Sequence, residues 1–317
     1  MMDPVRIRSA ARHWGIRLKA VRDDVDLYGS PERSRFRTAV EDLDGRLFVL
    51  EQIVPAQRER RIRISRILEQ LHANGLRQVN PYLETTTGEF LASSGGTWWQ
   101  LSPFIRGTLP DRPAYIRDAQ KGEALSGFLD RLYRHAGQCI QYSSLPHFSL
   151  KDYILKLEKE MIQHDPDVAD RFSPVLAYLQ RSFMEIHDNL PVGFCHGDYH
   201  PLNIIWRENA IAAVIDWEFC GLKIEIYDIA NLVGCVGMEH PSGLVDNLVR
   251  TFIRGMRQVS ALTEESWRLL PEAVIALRFA WLAEWLRNKD KEMIDLEAVY
   301  MNLLIDNRDK LKAAWGL

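Results

Sequence analysis

The spacing of apolar residues changes twice along the chain. Residues 1–20 mix basic and apolar positions (Ile7, Ala10, Trp14, Ile16, Leu18), which predicts a short helix. Alternation then takes over. Val21, Val25 and Leu27 predict a first strand, Phe36–Glu41 a second and Arg46–Ile53 a third. Tyr28–Ser34 is a turn-rich bridge, and Asp44-Gly45 is a hairpin turn. From Gln57 to Asn74 the period becomes helical. Ile64, Ile67, Leu68 and Leu71 share a face, arginines cover the other, and Gly75 ends the run. Further strands are predicted near Val79–Leu83 and at either Phe90–Ala92 or Trp98–Phe104, with Ser93-Ser94-Gly95-Gly96 as a turn.

Beyond Pro113 helical spacing dominates: Tyr115–His135, then 151–163 and 173–188 around an Asp165-Pro166-Asp167 break, then 243–260, 264–287 and 292–314. One stretch interrupts this half. Val192-Gly193-Phe194-Cys195 leads into His196-Gly197-Asp198-Tyr199-His200-Pro201-Leu202-Asn203, followed by Ile204-Ile205-Trp206 and Ile211–Ile215, which ends in Asp216-Trp217-Glu218. Apolar runs with polar residues at their tips predict a loop held between short strands. Asp228 then opens a helix. The change from strands to helices near residue 106 divides the chain into a sheet-rich lobe, 1–105, and a helical lobe, 106–317. It implies a cleft between them and an α+β fold.

Composition narrows the function. Apolar residues make up 46% and charged residues 26%, and the net charge is -3. That is a globular balance, too near neutral for nucleic acid or an anionic membrane as main partner. No run is long enough to span a bilayer, and the first residues lead into no apolar stretch, so a cytoplasmic protein without a secretory signal is expected. Cys139, Cys195, Cys220 and Cys235 lack metal-ligand spacing.

The candidate chemistry lies in the central stretch. If Ile204–Trp206 pairs with Ile211–Ile215, Asn203 and Asp216 reach the same end of the hairpin, and the loop returns Asp198 to that neighbourhood. A carboxamide and a carboxylate make a hard-ligand site suited to Mg2+, and a second carboxylate can accept a hydroxyl proton. These are the parts phosphoryl transfer needs. His196 and His200 have the spacing of helical zinc ligands, but Pro201 disfavours a helix and the usual glutamate is missing. Asp228 reads either as a plain N-cap or as a brace for the loop through its backbone amides.

The combination of His196-Gly197-Asp198-Tyr199-His200-Pro201-Leu202-Asn203, Ile215-Asp216-Trp217-Glu218 and Asp228-Ile229-Ala230 closely resembles the aminoglycoside phosphotransferase and choline kinase-like family. It is also similar to homoserine kinase type II-like proteins. The resemblance implies a protein-kinase-like bilobal fold, with ATP and Mg2+ as cofactors and a small-molecule hydroxyl (amino alcohol, aminoglycoside-like or sugar-like) as acceptor. A homodimer is compatible with it. On these positions it implies Asp198 as the base, Asn203 and Asp216 as metal ligands, and His196 and Asp228 as residues that hold the loop. Glu218 would be a further acidic residue near metal or substrate. The Tyr28–Ser34 bridge, with Ser30, corresponds to the phosphate-covering loop, and Leu101 and Phe104 to the adenine-side segment joining the lobes.

One position departs from the pattern. The family usually has a lysine on the third strand to bind the donor phosphates, and here that strand reads Phe48-Val49-Leu50-Glu51. A carboxylate repels a triphosphate. Arg58, Arg60 or Arg63 supplies the charge with Glu51 orienting it, or the alignment is slipped, or the kinase is weak or inactive. A nucleotide-binding pseudokinase and a Ser/Thr protein kinase remain alternatives. For the acceptor, Trp281 and Trp285 with Trp217, Tyr199 and Tyr227 form either an aromatic pocket wall or ordinary core packing.

Overall fold

The structure, a computed structural model, describes residues 3–29, 34–259 and 262–317. Ser30 and its neighbours to residue 33 lie outside the described residues. In chain order the first elements are α1 (Pro4–Ala11), β1 (Leu18–Val21), β2 (Phe36–Asp42), β3 (Leu47–Ile53), α2 (Arg58–Ala73), β4 (Ala92–Ser94) and β5 (Thr97–Pro103). Helices α3 (Ala119–Cys139), α4 (Leu150–His164), α5 (Pro166–Leu179) and α6 (Glu185–His187) follow. Four short strands come next: β6 (Val192–Cys195), β7 (Ile204–Arg207), β8 (Ala210–Val214) and β9 (Gly221–Ile224). The chain closes with α7 (Tyr227–Glu239), α8 (Asn247–Val259), α9 (Glu264–Arg268), α10 (Leu270–Asn288), α11 (Lys291–Asp306) and α12 (Arg308–Trp315).

Contacts divide the chain into two compact units. The first comprises the described part of Met1–Pro110 together with Arg134–Ile140 and Leu202–Glu218; the second comprises Asp111–Tyr133, Gln141–Pro201 and Phe219–Leu317.

The first unit is built on a five-stranded antiparallel sheet of order β1-β2-β3-β5-β4. Alternation sorts its side chains. Val40, Leu50, Trp99 and Leu101 join Ile7, Ala10 and Ala11 of α1 in one apolar cluster. Each large side chain buried there contributes about 1.5–3 kcal/mol. The neighbours Val49, Glu51 and Ser102 line a cavity that also has Phe104, Tyr82 and Asp216 on its wall. Helix α2 buries Ile64, Ile67, Leu68 and Leu71 as its period requires. It ends where Leu76 N–H bonds the Leu71 carbonyl at 3.0 Å.

Several local expectations are corrected. The first strand is Leu18–Val21, not the Val21–Leu27 run, because Leu18 can pack under α1 while Val25 and Leu27 have no sheet partner among the described residues. Val79–Leu83 is not a strand: Arg77–Val79 form a short helical turn, and Leu83 N–H alone reaches the Leu101 carbonyl, at 2.8 Å. Phe90–Ala92 and Trp98–Phe104 were alternatives; Ala92–Ser94 and Thr97–Pro103 are both strands, paired across Gly95-Gly96. Asp165 does not break a helix so much as start one, since its side chain caps Val168 N–H and α5 begins at Pro166.

In the second unit, α7 is buried nearly all round, with Ile229, Leu232, Val233 and Val236 fully covered, and α10 contributes Val274, Ile275, Leu277 and Phe279 to the interior. Among the described residues no helix is long and apolar enough to cross a membrane.

Candidate active site

Strand β6 pairs with β9, Cys195 opposite Gly221, and the ladder ends there. The next backbone amides therefore need other acceptors. Asp228, in the first turn of α7, supplies them: its carboxylate accepts His196 N–H at 2.7 Å and Gly197 N–H at 2.8 Å. Asp228 is fully buried. Burial pushes its carboxyl up to about 6, although the two amides and the more distant Lys223 ammonium pull the other way. The turn between the amides is left-handed, with Gly197 at φ +85°, and a Cβ there would meet the Phe219 carbonyl at 2.3 Å. Only glycine fits both demands.

The loop then folds onto itself. Asp198 N–H donates to His196 Nδ1 at 3.1 Å. Asp198 Oδ1 lies 3.5 Å from His200 Nε2. The Tyr199 hydroxyl donates to the Leu125 carbonyl at 2.9 Å, its ring stacks on Phe128, and Asn231 Nδ2 holds the Tyr199 carbonyl at 3.3 Å. Tyr199 is thus an internal anchor, the core-packing alternative. Its burial was hidden because nothing in the local pattern shows that Leu125 and Phe128 face it. Trp281 and Trp285 stack at 6.1 Å and are half-buried. Trp281 meets the His200 ring edge-on, and Trp285 Nε1 donates to Glu297, which also pairs with Arg278.

In the first unit, β7 and β8 form the expected hairpin, Ile204 opposite Val214. Ile215 N–H continues it to the Asn203 carbonyl at 3.0 Å, so Asn203 and Asp216 end at the same edge. Asp216 has a left-handed backbone, φ +63°. The Gly29 backbone passes so near that a Cβ there would sit 2.9 Å from Asp216 Oδ1. His196, Asp198 and Asp228 thus share one unit, and Asn203, Asp216 and Glu218 the other.

The cavity of this unit holds charges that the sequence pattern did not single out. Glu51 stands directly across from Arg37 in the β2–β3 ladder, and Arg37 Nε lies 3.2 Å from its carboxylate. Arg37 Nη2 also donates to the Tyr28 carbonyl at 2.8 Å. Arg61 of α2, 3% exposed, places Nη1 2.9 Å from Glu218 Oε1 and 3.1 Å from the Tyr82 hydroxyl. Burial works against the Arg61 charge, but Tyr82, Glu51 and Glu218 outweigh it and hold its pKa above the ordinary value. Burial raises the Tyr82 phenol as well.

The named arginines lie elsewhere. Arg58 stacks over Trp98 at 4.4 Å, Arg60 donates twice to the Glu218 carbonyl (3.0 and 2.7 Å), and Arg63 does not line the cavity. The helical period carries the reason: Arg61 shares the inward face with Ile64, Ser65 and Leu68, a signal that could have found it. Leu101 points into the apolar cluster, away from the cavity, because it alternates with Ser102. Phe104 lines the cavity, and its N–H is spent on the Leu47 carbonyl at 3.0 Å.

This architecture is a protein-kinase-like one. A solved amicoumacin kinase in complex with AMP-PNP and Ca2+ aligns with a TM-score of 0.65 at 15% identity, covering 97% of this chain and 94% of that one. The microcompartment-associated aminopropanol kinase aligns with a TM-score of 0.65 at 16% identity, covering 98% of each chain. The chain belongs to the phosphotransferase enzyme family, whose model matches residues 33–262. Curated relatives include a homoserine kinase of Phenylobacterium zucineum (strain HLK1), 30% identical over 206 residues, which are 61% of this chain. That match spans 58% of the relative's length. A homoserine kinase of Beijerinckia indica subsp. indica is 27% identical over 72% of this chain and 71% of its own.

Proposed function

We propose that the chain transfers the γ-phosphoryl group of ATP, with Mg2+, to the hydroxyl of a small amino alcohol or amino acid, homoserine being the first acceptor to try. The carrying observation is the loop at His196–His200, whose conformation is braced by Asp228 and closed by the Asp198 N–H bond to His196. Such bracing holds the Asp198 carboxylate in one place, which is what a base must have to meet a hydroxyl proton within hydrogen-bond reach. His200, itself packed on Trp281, gives the carboxylate a neighbour that orients it.

The donors of the first unit suit Mg2+. Asn203 and Asp216 offer hard oxygen ligands, their spacing is tied by the Ile215–Asn203 bond, and a side chain at Gly29 would press on the Asp216 carboxylate. When bound, the ion neutralises phosphate charge and orients the donor. Glu218 is engaged by Arg61, so we assign it to positioning rather than to the metal. The relatives are homoserine kinases by name, which favours a compact acceptor carrying both ammonium and carboxylate over a polycationic one.

The test is Mg2+-dependent ADP release, with and without homoserine, other amino alcohols, aminoglycosides and sugars. Acceptor-dependent release with a small amino alcohol is expected. Absence of both ATP binding and turnover would overturn the reading. The rival is a nucleotide-binding protein without transfer, favoured by a carboxylate at residue 51; tight ATP binding with no turnover on any acceptor decides for it.

A further inference from the structure

We propose that Arg61 of α2 is the cation that grips the donor phosphates, and that Glu51 and Glu218 are its counter-charges. The inference rests on the phosphotransferase reading and adds a residue that reading leaves out. Kinases of this general plan hold the phosphates with a lysine on the third strand, paired with a glutamate on the neighbouring helix. Here the charges are exchanged: the acid is on β3 and the base on α2.

The cavity itself singles out Arg61. Among the described residues that line it, the cations are Arg37 and Arg61. Arg37 bridges Glu51 and the Tyr28 carbonyl, so it holds the backbone that leads to Gly29 over Asp216. That makes Arg37 a positioning residue for the segment. Arg61 is held by Glu218 and the Tyr82 hydroxyl and lines the same cavity as Asp216. A guanidinium fixed in this way presents a planar fork matched to phosphate oxygens.

Stability alone is a poor reason for the cluster. Arg37, Glu51, Arg61, Glu218 and Asp216 surround one cavity, and a buried ion pair gains little over apolar residues of similar size, because desolvation offsets the attraction. Tyr82, hydrogen-bonded to Arg61, lines the same cavity as Glu51, Glu218 and Asp216, so these groups converge on one volume.

The test compares binding of Mg2+ with a non-hydrolysable ATP analogue and binding of adenosine, by calorimetry, in wild type and Arg61→Met. Selective loss is expected: roughly tenfold or more for the triphosphate, the worth of a charge-assisted contact, and little change for adenosine. Arg61→Lys should fall between the two. Equal loss for both ligands, or none for the triphosphate, overturns the proposal, as does selective loss in Arg37→Met but not in Arg61→Met. Thermal unfolding reports whether the variants fold. If Arg61→Met does not, Arg61→Met/Glu218→Met removes both charges and is expected to show the same selective loss. A wild-type chain that binds neither ligand overturns the phosphotransferase reading itself, an outcome distinct from retained triphosphate affinity in Arg61→Met.

Discussion

Asp228 and Glu218 are both buried acids, and the protein handles them in opposite ways. Asp228 is stabilised by two backbone amides contributed by a single turn, His196 and Gly197. Glu218 is stabilised by a guanidinium from a helix far away in sequence. In the first arrangement burial still pushes the carboxyl up to about 6 against the pull of the amides, and the product is a braced loop. The second leaves a compensated pair, and its product is a fixed cation on a cavity wall. Amides carry no net charge, so they can shape a loop without altering the charge of its surroundings. A guanidinium brings charge with it and suits a place where an anion is to be received.

The comparison can be broken in several places. The largest effect is expected from Asp198→Ala, which should lower turnover by roughly 10^2- to 10^4-fold while nucleotide affinity survives. Full turnover in that variant would show that the braced loop does not present a base. Next comes the brace. Asp228→Ala leaves two buried amides without an acceptor, at roughly 1–3 kcal/mol each, and should lower the midpoint of thermal unfolding accordingly. Gly197→Ala should destabilise as well, since its Cβ would strike the Phe219 carbonyl; an unchanged midpoint would contradict the close approach.

The charge of Asp228 has a pH signature. Its carboxyl titrates near 6 when folded and at the ordinary 3.8 when unfolded. Below about pH 4 both states are protonated and the group costs nothing. As pH rises to 6 and beyond, ionisation in the buried site costs about 3 kcal/mol. Stability from this group therefore falls between pH 4 and 6, and Asp228→Asn should flatten that slope in denaturant unfolding. Asp216→Ala should weaken Mg2+–nucleotide binding about tenfold, and equal affinity by calorimetry would remove it from the metal site. The smallest effect is expected from Glu51→Gln. It removes the counter-charge of Arg37 inside the sheet but keeps a hydrogen-bonding side chain there, for roughly 1 kcal/mol in unfolding free energy.

The loop was largely legible in advance because its parts are close in sequence or follow a strong motif. His196, Asp198, Asn203 and Asp216 were picked out, and the β7–β8 hairpin that carries Asn203 and Asp216 to one edge forms as its alternation required. Asp228 was legible only as a choice between cap and brace, and its two amide bonds make it the brace. The charged cavity was much less legible. The arginine-rich helix was recognised, yet Arg58, Arg60 and Arg63 were named and Arg61 was not. Tyr82 fell in a segment expected to be a strand, and Arg37 was read only as part of the second strand.

Short-range patterns by themselves determined the α+β class, most element types and the central loop. Each of these depends on period, turn residues and spacing within a few tens of residues, and local sterics and burial act over that range. Only the tertiary structure decided where charge is paired. Whether Glu51 meets Arg37, or Glu218 meets Arg61, depends on strand register and helix rotation, which are set by packing of the whole sheet against α2. A carboxylate in place of a lysine therefore reads as a defect along the chain. In the folded protein it is one member of a cluster whose cations come from β2 and α2.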